Sequence, residues 1–354
     1  MAQAQYYGTE VMLEGVKVIA KATTFLRDRY FPQAQYSKFL TNKVIIEEER
    51  EEAGIAPFVV PYIGGVPVTR EGYTIKEYEP ANIEPKIPMT IGDLEKKGFE
   101  EDAFNQLTPQ QRAAELLAKD FKKLDKMIAR TEELMAAKIM LDNAIDIEVK
   151  TGKDSKPKQY RMQFYEGTNP NTYAITKKWG TTGSDWKQDI TNMCLEGQKN
   201  GVIFEDLIVT PSVYKQMLAD DAYLKMLDNR NFNIGNINPT GINQETGAVF
   251  LGKLIVYGFT LNLISYNQAY KDGTVKQYIP DGTIILAVPG AGQRVYGAVT
   301  QMENGEFKTY SGDRVPQEFH RDEAATKELK MTAKPFLAPR IFNGFMSAQA
   351  VTVA

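Results

Sequence analysis

The stretch APFVVPYIGGVPVTREGY, residues 56–73, limits the possible folds more than any other. It alternates like a β-ribbon and offers a turn at Gly64-Gly65, yet Pro57, Pro61 and Pro67 lie in its legs. A proline has no N–H to give to a ladder, so this ribbon cannot run through the middle of a sheet. Its Val, Ile, Phe and Tyr side chains nevertheless favour burial. The legs, from TNKVIIEEEREEAG outward and back through REGYTIKEYEP, run to about 20 residues each, or roughly 65 Å if fully extended. A compact chain of this length has a radius of gyration near 20 Å by the usual scaling. The ribbon therefore projects from its own globule unless it bends sharply.

A second element is comparably long. Residues 107–144 read as one helix, with Thr108 as N-cap, Pro109 at the first helical position and Gln111 completing a capping box. Leu117, Phe121, Leu124, Ile128, Met135 and Ile139 form an apolar stripe, interrupted at Thr131 or Glu132. About 34 residues make a spine of roughly 50 Å. Lys119, Lys122, Lys123 and Lys126 lie on its other face.

The first 40 residues read as an arm with one or two short helices and no core of its own. Through Lys43 the arm holds six Lys/Arg against three acids. Residues 145–175 read as a polar hairpin turning around Gly152–Pro157, followed by a mixed body. That body has a helix at DWKQDITNMCLEGQKNG and a strand before Pro211, which opens a second helix, with another helix after that. The Asn/Gly-rich loop 229–247 follows, and then AVFLGKLIVYG, LNLISYN, KQYIPDGTIILAVPG and QRVYGAVTQ read as strands. SAQAVTV closes the chain as a final strand. The fold class is α+β.

Chemistry is sparse. The lone histidine, His320, would have to serve any Ser-His-Asp or Cys-His relay, and no G-x-S-x-G elbow accompanies it. One cysteine, Cys194, permits no internal disulfide, and one His with one Cys excludes His/Cys zinc sites. VPGAGQR, 288–294, lacks the residues of a phosphate-binding loop and reads as a tight turn. EEEREE, 47–52, alternates faces along a strand with no pocket around it, and reads as a solvated or salt-bridging run. No catalytic, cofactor or metal site is expected. With 43% hydrophobic residues, 25% charged residues and net charge -3, the 354-residue chain has an ordinary globular composition without a nucleic-acid binder's basic excess. No signal peptide or apolar span is visible, so a soluble protein of a reducing compartment is expected.

The unusual features therefore concern shape, and their order resembles a known family. FLRDRYF, APFVVPYIGG, REGYTIKEYEPANIEPKIPMT and YIPDGTIILAV…QRVYGAV are similar, in the same order, to the lambda-type major head proteins of tailed phages, the capsid E family. That resemblance implies the Hong Kong 97-like fold: an N-arm (1–37), an extended loop or E-loop (38–92), a P domain (93–175) and an A domain (176–325), with 326–354 returning to the P domain. It implies pentamers and hexamers closing an icosahedral shell around double-stranded DNA, assembled in the host cytoplasm. The implied partners are other copies of itself, a portal, a scaffold, a decoration protein, and DNA met without base reading through arm Lys/Arg, with no membrane; since no scaffolding extension is evident before the arm, a separate scaffold or a prior cleavage is expected. The expected contact residues on the ribbon are Glu47, Glu48, Glu49, Glu51, Glu52, Phe58, Val60, Tyr62, Val66, Val68, Arg70 and Tyr73. They face a neighbour, with Lys119, Lys122, Lys123 and Lys126 as one candidate charge partner. The rivals are an encapsulin-like protein compartment and a carboxylate-based hydrolase.

Overall fold

The computed structural model describes residues 24–39, 43–49, 73–90, 92, 109–149, 158–220, 223, 247–303, 305–321 and 326–352. The described residues open with α1 (Phe25–Tyr30), β1 (Gln33–Phe39), β2 (Val44–Glu49), β3 (Tyr73–Tyr78) and β4 (Lys86–Thr90), then the long α2 (Pro109–Asp142). The hairpin β5 (Ala144–Val149) and β6 (Lys158–Gln163) leads to α3 (Trp186–Lys199), β7 (Asp206–Val209) and α4 (Pro211–Leu218). Next come β8 (Ala248–Val256), β9 (Phe259–Tyr266), β10 (Ala269–Asp272), β11 (Thr274–Gln277), β12 (Thr283–Ala287) and β13 (Gly292–Gly297). The chain ends with β14 (Val299–Glu303), β15 (Glu306–Tyr310), β16 (Val315–Arg321), β17 (Thr326–Thr332), β18 (Pro335–Pro339) and β19 (Phe345–Gln349).

The body is built on a five-stranded sheet of order β19-β12-β7-β9-β8. Its strands are apolar on both faces, and alternation sends them into two cores. Leu207, Val209, Leu261, Leu263, Ile284 and Leu286 face α3 and α4, whereas Ile208, Ile264, Tyr266, Ile285 and Ala287 face α1 and the end of α2. The α2 stripe is as read from the sequence: Phe121, Leu124, Ile128 and Ile139 are buried, and Leu117 and Met135 pack partly buried beside them. The first half of the stripe rests on Leu329, Met331 and Ala333, and the second half on the α1 core. Asn143, at positive φ, ends the helix by donating its N–H to the Ile139 carbonyl at 2.9 Å.

Several expectations change. Residues 24–31 are no free arm, because Phe25, Leu26, Tyr30 and Phe31 are fully buried in the main core. The β5–β6 hairpin ends at Gln163 rather than 175, since the chain turns away through Gly167 at positive φ. KQYIPDGTIILAVPG is two strands, β11 and β12, broken where Gly282 takes positive φ. QRVYGAVTQ likewise divides at Ala298, because β13 pairs with β1 and β18 whereas β14 pairs with β15. The strand pairing also crosses the expected division at 325/326: β16 pairs along its length with β17 and on to β4, and the last strand, β19, is an edge of the body sheet. β19 lies there because Phe345 and Met346 face opposite cores, which only a strand between both can satisfy.

Prolines mark the sheet edges. Pro88 lies on β4, Pro316 on β16, and Pro335 and Pro339 on β18, each an outer strand of a three-stranded sheet. A missing N–H on an outer strand discourages indiscriminate pairing with other chains. One glycine matters for the arm: a Cβ built on Gly292 would overlap the Phe31 ring. Gly292→Ala is expected to cost about 1–3 kcal/mol by overpacking, read as a lower urea midpoint with an unchanged slope.

Candidate assembly surface

The ribbon's stem is a two-stranded antiparallel ladder, β2 with β3, in register from Val44↔Tyr78 to Glu49↔Tyr73. No third strand joins it among the described residues. A lone two-stranded hairpin is marginal in water, and the base of this stem lies on its own body: Val44 and Tyr78 pack against the main core, and Lys76 pairs with Glu166 at 3.2 Å. Glu47, Glu48 and Glu49 occupy β2 opposite Ile75, Thr74 and Tyr73. Glu51, Glu52, Phe58, Val60, Tyr62, Val66, Val68 and Arg70, with the turn at Gly64-Gly65, lie outside the described residues, as do Thr108 and the loop 229–246.

The basic cluster is where the helical spacing puts it. Lys119, Lys122, Lys123 and Lys126 are exposed on α2, opposite Phe121, Leu124 and Ile128. Further along α2, a groove of about 1300 Å³ opens between the ribbon's base (Glu77–Glu84), the helix at Leu134, Met135 and Lys138, and the β5–β6 hairpin. Tyr78 and Tyr160 brace its walls, donating to the Gln163 carbonyl at 3.0 Å and the Glu79 carbonyl at 3.4 Å.

The charges of α1 are used internally. Arg27 is buried and donates to Glu132 at 2.8 Å and Asp28 at 2.8 Å, and Arg29 holds Asp206 through two bonds of 2.6 and 2.9 Å. Arg314 reaches Glu132 and Asp125 from the far side at 2.8 and 2.9 Å. Glu133 accepts the backbone N–H groups of Leu26 and Arg27 at 2.9 Å each, and the Tyr266 hydroxyl at 2.7 Å. It thus caps the first turn of α1 from another helix. Burial alone would raise the Glu132 pKa, but Arg314 and then Arg27 outweigh it and hold the carboxyl below its ordinary range. At Glu133 burial prevails and the pKa is raised, against the pull of those three donors. Arg27 and Arg29 are therefore withdrawn from any role on DNA, contrary to the sequence expectation. The signal was legible: acidic residues interrupt an otherwise apolar helical stripe, and alternating charges run through FLRDRYF.

Among the described residues, no group of three or more His, Cys, Asp or Glu could hold a metal, and no helix is long and apolar enough to cross a membrane. Cys194 is buried, and its thiol is pushed up to about 12 by desolvation, which keeps it protonated and unreactive.

The body is clasped by its own arm, no third strand joins its ribbon stem among the described residues, and its outer strands carry prolines. Solved structures share this fold. The crystal structure of a prophage capsid protein from E. coli CFT073 superposes with a TM-score of 0.69 at 16% identity, covering 99% of this chain and 100% of that one. A phage-related protein from Bordetella bronchiseptica RB50 superposes at 0.51 with 9% identity over 96% of each chain. The fold is Hong Kong 97-like. The chain belongs to the phage major capsid protein E family, whose model matches residues 8–350. It is 24% identical over 277 residues to the major capsid protein of Escherichia phage lambda, covering 74% of this chain and 75% of that protein. It is 20% identical over 296 residues to the major capsid protein of Enterobacteria phage P21, covering 83% and 84%. The family is a structural one, and its match favours a phage head over a cellular protein compartment.

Proposed function

We propose that identical copies form pentamers and hexamers that close an icosahedral head around a tailed phage's double-stranded DNA, and that the ribbon of each copy lies on its neighbour. The observation that carries this is the β2–β3 stem, a two-stranded ladder without a third strand among the described residues, leading to an apolar, proline-studded tip. A neighbour's surface can cover that tip, while the prolines restrict uncontrolled pairing. Head-to-tail contacts around an axis close rings, and many weak contacts acting together suffice for a shell. The N-arm, E-loop, P and A divisions, assembly in the host cytoplasm, and the portal, scaffold, decoration protein and genome as partners are part of this reading. DNA contact falls to basic residues of the arm other than Arg27 and Arg29. Electron microscopy of the purified protein tests it: five- and six-membered rings or closed shells are expected, and particles that remain monomeric at all concentrations would overturn it.

The glutamate run 47–52 and the lysine face of α2 are opposite charge blocks on elements that this arrangement brings together. Exposed pairs give under about 1 kcal/mol each, so they set register more than strength. Reversing Lys122, Lys123 and Lys126 to Glu is expected to reduce particle yield at low salt, and reversing Glu47, Glu48 and Glu49 to Lys in the same chain to restore it. Failure of the combined variant to recover would remove this pairing.

A further inference from the structure

The six-residue α1 is too short to be stable alone, yet it touches three separate elements through buried or half-buried charges. Toward the spine, Arg27 pairs with Glu132, and Glu133 holds the Leu26 and Arg27 amides. Toward the body sheet, Arg29 forks onto Asp206 of β7, which also accepts the Tyr30 hydroxyl at 2.9 Å and the Asn262 amide of β9 at 2.9 Å. Toward the three-stranded β1-β13-β18 sheet, Asp28 meets Arg294 of β13 at 3.3 Å. Behind Glu132, Arg314 ties in Asp125, one helical stretch further along the spine.

An apolar plug would fill the same space and in general stabilise at least as well, because buried ions lose their hydration. Charged forks contribute something a plug does not: two parallel bonds at fixed angles admit a single relative orientation of the groups they join. Apolar faces slide, whereas a bidentate pair does not. The Arg29 fork ties this short helix to the five-stranded sheet, and the two amides held by Glu133, with the single Arg27–Glu132 bond, tie it to the spine.

We propose that α1 is a pin that sets the angle between the spine helix and the body sheet, and through it the curvature that each subunit gives to its shell. The curvature part rests on the shell reading above; the angle part does not. Pentamers and hexamers present different angles to one chain, so the stiffness of this junction determines which particle sizes are reachable. A chain with a loosened pin still folds and assembles, but without a single radius.

Two labelling sites read the angle in the unassembled subunit: Glu115→Cys on the exposed side of α2 and Lys215→Cys on α4, with Cys194→Ala to remove the native thiol. Pulsed electron paramagnetic resonance of spin labels at these positions should give one narrow distance distribution. Arg29→Gln removes the fork on Asp206, and Arg29→Lys keeps the charge while losing the second bond. Both are expected to broaden that distribution, Arg29→Lys less so, with secondary structure intact by circular dichroism. The same variants without labels should yield shells of mixed diameter where the parent yields one. A folded Arg29→Gln subunit with the parental narrow distribution overturns the pin. If both variants fail to fold, the contact serves folding alone, and the proposal falls. Broadened distances with uniform parental diameters overturn the link to curvature, while broadened distances with no particles from any chain overturn the shell reading and leave the pin standing.

Discussion

Subunits carrying Glu132→Ala are expected to unfold at markedly lower denaturant than the parent, by about 3–5 kcal/mol, the usual consequence of removing one partner from a buried ion pair. Glu132 is fully buried and accepts from Arg27 on one side and Arg314 on the other. The variant would leave two guanidinium groups in the core with their shared acceptor gone. Asp28 and Asp125 hold the other ends of those arginines but cannot occupy the vacated position. Against a domain stability of about 5–15 kcal/mol, such a loss is a large fraction of the whole. Urea unfolding followed by circular dichroism measures it. A change below about 1 kcal/mol would mean that the network is not a structural element at all.

The same carboxylate gives the parent a pH dependence of definite sign. Glu132 and Asp28 are both held below their ordinary values in the folded chain, in each case against burial: by Arg314 and then Arg27 for Glu132, and by Arg27 and then Arg294 for Asp28. A group with a depressed folded pKa stabilises above its unfolded pKa, near 4 for carboxylates, and that contribution disappears as pH falls through the folded value. Glu133, raised by burial, works in the opposite direction and in a higher window: its contribution is lost as pH rises above the ordinary carboxylate range, and it does not offset the fall below it. Stability is expected to fall as pH drops below about 4, and a Glu132→Gln chain should show a shallower fall from a lower starting point.

The second large effect concerns the ribbon. Phe58→Asp is expected to leave the urea midpoint of the subunit unchanged and to abolish closed particles. Burying a phenylalanine contributes about 1.5–3 kcal/mol, and an aspartate in its place adds the cost of desolvating a charge. That loss repeats at every copy of the contact, so a change that is modest in one subunit becomes decisive for a shell. Electron microscopy and sedimentation of the purified variant decide it: shells at parental yield would show that the tip is not an anchor. A lowered urea midpoint would show instead that the ribbon packs on its own body.

How far the sequence reaches differs from element to element. The 34-residue α2 was legible because its stripe repeats with the helical period and Pro109 opens it. The β2–β3 pairing was legible because two extended runs flank a Gly64-Gly65 turn signal in the sequence. The body strands were legible as apolar runs, but not their breaks, since a turn at Pro280–Gly282 inside an apolar run looks like continuation. The candidate surface was half legible: the charge blocks and the apolar tip are visible in the letters, whereas the surface that would cover them is not. The arm was legible as a short helical segment with alternating charges in FLRDRYF, but not the place of Phe25, Leu26, Tyr30 and Phe31 in the main core, where the reading gave the arm no core of its own.

Periodicity and turn chemistry are local, so the letters alone specify the spine, the ribbon and most strands of this capsid subunit. The partners of Arg27 and Arg29 lie 105 and 177 residues away along the chain. No local pattern encodes a pairing over such separations, because the energy of a buried charge depends on what the fold places opposite it. Whether two arginines meet water, DNA or a buried carboxylate is settled in three dimensions, as is the membership of the last strand in the body sheet.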